Sequence, residues 1–308
     1  MKRLFSHEPV PENLRGAALA LGNFDGVHEG HQAVIGRAVE LARAQGHPVI
    51  VATFDPHPVR HFRPDTPPFR LTSLDQRAEL FAGLGADAML VFEFGDALAR
   101  TSAEDFVREL LVNQLHIAAV VTGSDFTFGE GKRGNTAMLA RLGSEIGMTV
   151  EAISPITEDG EVVSSSRIRE ALWNGDPQEA ARLLTRPFAI RGIVQHGDKV
   201  GRTIGYPTAN IDLGTYIRPR YGIYAVTGHL PDGRILKGAA NLGIRPTFDP
   251  PKELLEPHFF DFSEDLYGQE IEVAFHHYLR GEVKFDGLDA LIAQMDKDCE
   301  RARALLGA

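Results

Sequence analysis

Apolar stretches at 17–22, 48–54, 87–93, 117–122 and 149–153 alternate with amphipathic segments in the first 185 residues of this 308-residue chain. Short, near-continuous apolar runs predict strands buried on both faces, and the periodic stretches between them predict covering helices. The first helix should carry Val34, Ile35, Ala38, Leu41 and Ala42 on one face and stop at Gly46. Ser73-Leu74-Asp75-Gln76 is a capping-box pattern opening a second helix, which ends near Gly83 to Gly85. A third starts after Ser102, with Phe106, Leu110 and Val112 to Leu115 on its apolar side. This alternation predicts an α/β domain built on a parallel sheet. After Arg186-Pro187 the pattern changes to short β-rich segments, 189–195, 221–228, 235–241, 257–262 and 270–279, punctuated by glycine and proline. Their spacing predicts a compact antiparallel barrel. A helix from about Leu288 closes the chain, and its stripe of Leu288, Leu291, Ile292, Met295 and Cys299 should pack on that barrel. Two domains are therefore expected, 1–185 and 186–308.

Charge and composition narrow the function. The formal net charge is −10, whereas a protein that tracks a nucleic-acid backbone usually carries a basic surplus, so no nucleic-acid partner is expected. No apolar run approaches the roughly 18 residues of a membrane span, and no membrane partner is expected. Met1 to Glu8 has a basic start without the apolar core of a secretory signal. Cys299 is the sole cysteine, which points to a reducing, cytoplasmic setting. Anionic small molecules must be met by local cations, and Lys132 with Arg133, Arg167 with Arg169, and Lys199 with Arg202 lie beside loops. Residues 55–70, rich in proline and arginine, are expected to form a long loop.

The strongest local signal is Gly22-Asn23-Phe24-Asp25-Gly26-Val27-His28-Glu29-Gly30-His31-Gln32, which follows the first predicted strand and leads into a helix. Backbone N–H groups at such a turn can hold phosphate, at the strand ends where parallel sheets bind ligands. His28 and His31 lie one helical turn apart and can face one ligand. Gly22, Gly26 and Gly30 are spaced four apart, unlike the dinucleotide fingerprint, and histidines at i and i+3 do not match the zinc-protease helix. A glycine-rich turn with two solvated histidines is the plain alternative.

Three more segments bear on that choice: Thr122-Gly123-Ser124-Asp125-Phe126-Thr127-Phe128-Gly129, Ser164-Ser165-Ser166-Arg167-Ile168-Arg169, and Gly201-Arg202-Thr203-Ile204-Gly205-Tyr206-Pro207-Thr208-Ala209-Asn210. With residues 22–32 they resemble, in order and over essentially the whole chain, the prokaryotic bifunctional riboflavin kinase/FMN adenylyltransferase family (FAD synthetase). The resemblance implies a Rossmann-like nucleotidylyltransferase domain followed by a β-barrel riboflavin kinase domain with a terminal helix. It implies riboflavin, FMN and FAD as substrates and products, ATP as co-substrate, and Mg²⁺ as cofactor. On this resemblance His28 and His31 stabilise charge at the α-phosphoryl group. Gly22, Asn23, Phe24 and Asp25 bind ATP, as do Ser164, Ser165, Ser166, Arg167 and Arg169 around the triphosphate. Asp125 and Phe126 line the flavin side, although a turn-forming aspartate remains an equal reading of Asp125.

In the second half the resemblance assigns Thr208 and Asn210 to metal and phosphate, with Lys199, Gly201 and Arg202 also at ATP. Hard oxygen donors two residues apart on a strand suit that role. Glu256-Pro257-His258-Phe259-Phe260-Asp261-Phe262, ahead of Asp265-Leu266-Tyr267-Gly268, fits the family's general-base segment and makes Glu256 the base. Glu253 is expected to be solvated. Proline at 257 cannot donate to a ladder, so this strand should lie at an edge or be bulged there. A monomer or weak homo-oligomer is expected. Transfer to a different phosphorylated acceptor would leave the kinase-like segment unexplained, and a decayed flavin-binding module would not need His28, His31, Thr208, Asn210 and Glu256 together.

Overall fold

The computed structural model describes residues 1–196, 205–245 (without the Arg245 side chain) and 252–308. The chain forms two compact units, one of residues 1–66 and 74–164, the other of 67–73 and 165–308.

The first unit contains β1 (Lys2–Phe5), β2 (Ala18–Leu21), β3 (Val49–Asp55), β4 (Ala88–Glu93), β5 (Ala119–Gly123), a small hairpin of β6 (Thr127–Phe128) with β7 (Gly134–Asn135), β8 (Thr149–Ile153), and a second hairpin of β9 (Thr157–Glu158) with β10 (Glu161–Val162). The main sheet is parallel, in the order β1-β4-β3-β2-β5-β8. Side chains alternate between two apolar layers. Leu19, Leu21, Ile50, Ala52, Leu90 and Phe92 point into one. Ala18, Ala20, Val49, Val51, Met89 and Val91 point into the other, covered by α1 (Glu29–Gln45) through Val34, Ile35 and Ala38. Burial on both faces is why these strands read as continuous apolar runs.

Two differences from the sequence expectations have local causes. Edge strand β1 buries only Leu4 of its four residues, which leaves almost no apolar signal. Phe106–Gln114 is wound as a π-helix, and it buries Phe106, Val107 and Leu111, with Leu110 and Val112 only partly covered. Its wider turn moves the buried stripe off the 3.6-residue period. The 55–70 stretch also holds a short helix, α2 (Pro58–Phe62), whose N-terminus His57 caps.

The second unit is a closed antiparallel barrel of β11 (Phe188–Gln195), β12 (Asn210–Asp212), β13 (Gly222–His229), β14 (Ile235–Arg245), β15 (Lys252–Phe259) and β16 (Glu270–Arg280). Its order is β11-β12-β15-β14-β13-β16, with β16 returning to β11. Ile190, Ile211, Tyr224, Val226, Leu242, Leu255, Val273 and Phe275 are buried barrel residues. On the outer face, Ala225, Ala239, Phe260 and Leu279 pack on Ala302 and Cys299 of the terminal helix Leu288–Leu306. Leu288, expected in that stripe, is exposed. The helix is held instead by Arg280 to Asp298 at 2.6 Å and Arg303 to Asp261 at 2.8 Å. The segment 67–73 joins this unit by a parallel bridge between Arg70 and Tyr216.

Candidate active sites

The Gly22–Gln32 loop leaves the carboxyl end of β2, and two threonines on the flanking strands staple that end. Thr122 Oγ1 of β5 donates to the Leu21 carbonyl at 2.8 Å, and Thr53 Oγ1 of β3 donates to the Asn23 carbonyl at 2.7 Å. The loop then turns through Phe24 at φ +47°, Gly26 at +90° and Val27 at +48°. Left-handed backbone at the two non-glycine positions costs about 1 kcal/mol or more each, so the surroundings must hold it. They do so by burial: Phe24 and Val27 are both in the core, with Phe24 edge-on to Phe81 at 5.9 Å. Asp25 is buried as well and meets Arg77 Nη2 at 2.9 Å, while Arg77 Nη1 donates to Thr53 Oγ1 at 2.9 Å. Arg77 comes from the helix α3 (Leu74–Gly83), at only 1% side-chain exposure. Sequence reasoning missed it, although its position between Leu74 and Phe81 on a buried helical stripe is an unusual place for a charge.

The histidines close the turn. His28 is the N-cap of α1, and its Nδ1 accepts the His31 backbone N–H at 3.4 Å. A neutral imidazole that accepts at Nδ1 carries its proton on Nε2. The two rings stack with centroids 3.6 Å apart, and Phe24 meets His31 edge-on at 5.2 Å. Gly30 leaves room for the His28 ring: a Cβ there would lie 3.2 Å from His28 Cε1, a tight contact, and 3.6 Å from the Val163 carbonyl. That carbonyl immediately precedes Ser164, so the start of the serine-rich segment lies against the histidine loop. Asp125 and Phe126 follow β5, which pairs with β2, so their loop leaves the same edge of the sheet. The exposed Asp125 carboxylate curls over its own turn, beside Gly123.

In the second unit, Ser165 and Ser166 open the helix Ser165–Asn174. Arg167 Nη2 donates to Glu179 Oε1 at 2.8 Å, and Arg169 Nε donates to the Phe69 carbonyl at 2.8 Å. Hydrogen bonds from Arg182 and then Arg167 hold the Glu179 carboxyl below the usual carboxylate range. Lys199, Gly201 and Arg202 lie outside the described residues.

The remaining candidates converge on three neighbouring barrel strands. β12 and β15 pair with Ile211 opposite Leu255, and the Ala209 N–H donates to the Pro257 carbonyl at 3.0 Å. That register sets Asn210 across from Glu256 in a non-hydrogen-bonded pair, the closer of the two antiparallel spacings. Thr208 lies across from His258, whose Nδ1 donates to the Pro207 carbonyl at 2.9 Å. On the other side β14 pairs Asn241 with Glu256, and Asn241 Nδ2 donates to Glu256 Oε2 at 3.3 Å. Asn210, Glu256 and Asn241 thus form a row across β12, β15 and β14. Asn241 was missed because a polar residue in an alternating strand gives no hint of its cross-strand partner.

Two expectations are corrected here. β15 is neither an edge nor bulged, since it pairs on both sides and its register with β14 runs unbroken from Lys252 to Phe259. Pro257 is tolerated because its missing donor faces β12, just where that ladder begins. Glu253 is not simply solvated: Tyr221 donates to it, and Arg218 Nε reaches it at 2.8 Å. Burial works against the Glu253 charge, yet these bonds hold its carboxyl below the usual range, while burial and Glu253 push the Tyr221 phenol up to about 12. Tyr206, two residues before Thr208, donates to Asp296 of the terminal helix, and burial with that bond raises its phenol above the usual range.

Comparisons with known proteins match two families along the chain. The FAD synthetase family matches residues 10–167 and the riboflavin kinase family residues 184–306. A bifunctional riboflavin kinase/FMN adenylyltransferase from Haemophilus influenzae is 42% identical over 295 residues, covering 96% of each chain. That of Bacillus subtilis is 38% identical, covering 96% of this chain and 94% of its own. A crystal structure described as a macrolide-efflux protein from Streptococcus pneumoniae superposes with a TM-score of 0.88 at 29% identity, covering 98% of this chain and 99% of that one. Among the described residues, no helix of the present chain is long and apolar enough to cross a membrane. With both family matches in order along one chain, this protein belongs to the bifunctional riboflavin kinase/FMN adenylyltransferases, which phosphorylate riboflavin to FMN and adenylylate FMN to FAD.

Proposed function

We propose that adenylyl transfer is performed at the Gly22–His31 loop and phosphoryl transfer at the Asn210–Glu256 row, as two separate centres. The observation that carries the kinase assignment is that Thr208, Asn210 and Glu256, nearly fifty residues apart in sequence, meet on adjacent strands.

At the first centre the phosphate of FMN attacks the α-phosphorus of ATP, and pyrophosphate leaves. His28, with its proton kept on Nε2 by the capping bond, donates toward the α-phosphoryl oxygens where charge builds up, and the stacked His31 adds to that field. Gly22 and Asn23 offer backbone to ATP. Phe24 and Asp25, being buried, serve by fixing the loop. Ser164, Ser165, Ser166, Arg167 and Arg169 hold the triphosphate, and Asp125 and Phe126 line the flavin side.

At the second centre Glu256 accepts the proton of riboflavin's terminal hydroxyl as that oxygen attacks the γ-phosphorus of a second ATP, releasing ADP. Lys199, Gly201 and Arg202 complete the phosphate contacts. The Thr208 hydroxyl and the buried Asn210 amide oxygen are hard donors on one strand face beside a carboxylate, a set that suits Mg²⁺. They would hold the ion, which would supply charge neutralisation at the transferred phosphate.

The functional boundary is placed at 185/186, close to the start of the riboflavin kinase match at 184. The proposal is completed by a cytoplasmic, monomeric or weakly self-associating enzyme that binds neither nucleic acid nor membrane.

His31→Ala tests the first centre. With riboflavin, ATP and Mg²⁺ supplied and the flavins separated by chromatography, FMN should accumulate while FAD formation falls about 10²- to 10³-fold. Loss of both products from a folded protein would show that the centres are not separate. Gly30→Ala should crowd the His28 ring and slow FAD formation from supplied FMN about ten- to hundredfold. Wild-type kcat in that variant would show that the ring position is unimportant.

A further inference from the structure

Glu256 has an asparagine on each side, and the two differ. Asn241 Nδ2 donates to Glu256 Oε2 at 3.3 Å, across a register pair of β14 and β15. The other polar atom of the same amide, Asn241 Oδ1, is buried and has no hydrogen-bond partner among the described residues. A buried acceptor left unpaired is destabilising, so packing alone would select an apolar residue here. A carboxylate only accepts, and this dictates which end of the amide it takes. The arrangement gives up one buried hydrogen bond to keep a donor on one oxygen of Glu256.

From this we propose that Asn241 is a positioning residue for riboflavin phosphorylation. It holds Oε2, fixing the carboxylate plane in which the proton of the substrate hydroxyl is received, while Asn210 on the opposite side serves phosphate. The inference rests on the assignment of Glu256 as the base. One physical consequence follows. A base held in one orientation meets the hydroxyl in a larger share of encounters, an effect on turnover and not on substrate capture.

This is measurable with the full-length enzyme. Asn241→Leu removes the donor, and Asn241→Asp keeps the shape while replacing the donor with a charge of the same sign as Glu256. Each should lower kcat for FMN formation about ten- to hundredfold, the worth of one hydrogen bond to a charged group. KM for riboflavin should stay within about threefold, as befits an interaction outside substrate binding. Thermal unfolding and riboflavin fluorescence quenching would establish that both variants are folded and bind flavin. A change confined to KM, or a wild-type kcat in both variants, would overturn the inference. Glu256→Gln separates it from the underlying reading: FMN formation at the wild-type rate in that variant removes the base itself. An inactive Glu256→Gln beside a fully active Asn241→Leu removes only the positioning role.

Discussion

Glu256→Ala is expected to abolish FMN formation, lowering kcat by about 10²- to 10⁴-fold, while FMN supplied from outside is still converted to FAD. The first part follows from chemistry. An alcohol is barely acidic at neutral pH, and the carboxylate on β15 faces the same side as Thr208 and Asn210, where phosphate would lie. Glu253, the other carboxylate of β15, cannot take over. Glu253 sits three residues away on the same strand, so it projects from the opposite face, and Tyr221 and Arg218 already occupy its oxygens. The second part follows from the location of His28 and His31 in the other unit. Chromatography of the flavins after incubation with riboflavin or with FMN distinguishes the two steps. If the variant still made FMN at more than about a tenth of the wild-type rate, a base worth 10²-fold or more would be excluded.

Arg77→Met is expected to destabilise the first unit by about 3–5 kcal/mol, the cost of breaking a buried ion pair by removing one partner. Asp25 is 2% exposed, and its carboxylate loses its Arg77 partner in the variant. The Thr53 hydroxyl loses a donor too. Arg77→Met combined with Asp25→Leu should recover most of the loss, because well-packed apolar residues often match a buried pair in stability. FAD formation should not recover with it. The left-handed turns at Phe24 and Val27 depend on the Asp25 anchor, and without it the backbone offered to ATP relaxes. Thermal unfolding and FAD formation from supplied FMN are the two measurements. A double variant that regained both would show that the ion pair serves stability alone, and a stable single variant would show that Asp25 finds another partner.

Much of the fold was legible because burial leaves a signature. Strands β2, β3, β4 and β5 are buried along their length, edge strand β8 is only partly covered, and all five fall within two residues of the apolar stretches that announced them. Short elements left no such trace: β1 has four residues and buries one side chain, and β12 has three residues. The period of Phe106–Gln114 was misread because π-type winding alters the spacing on which the pattern depends. At the sites, the motif residues could be named from their order along the chain. Their supports could not: Arg77 reads as an ordinary helix cation and Asn241 as an ordinary strand polar residue until each is seen facing a carboxylate.

Sequence by itself therefore determined the two domain types, the family and the residues that carry its motifs, because alternation of apolar segments and short local motifs are properties of neighbouring residues. Tertiary structure decided which of those side chains are available for chemistry. Asp25 gained a buried partner in Arg77, Pro257 took a place inside a closed barrel, and Glu256 gained a donor in Asn241. Each outcome depends on strand register or on a charge supplied from a distant segment, such as the fifty-two residues separating Arg77 from Asp25. No local pattern encodes such a pairing, because it exists only once the sheet and barrel have closed.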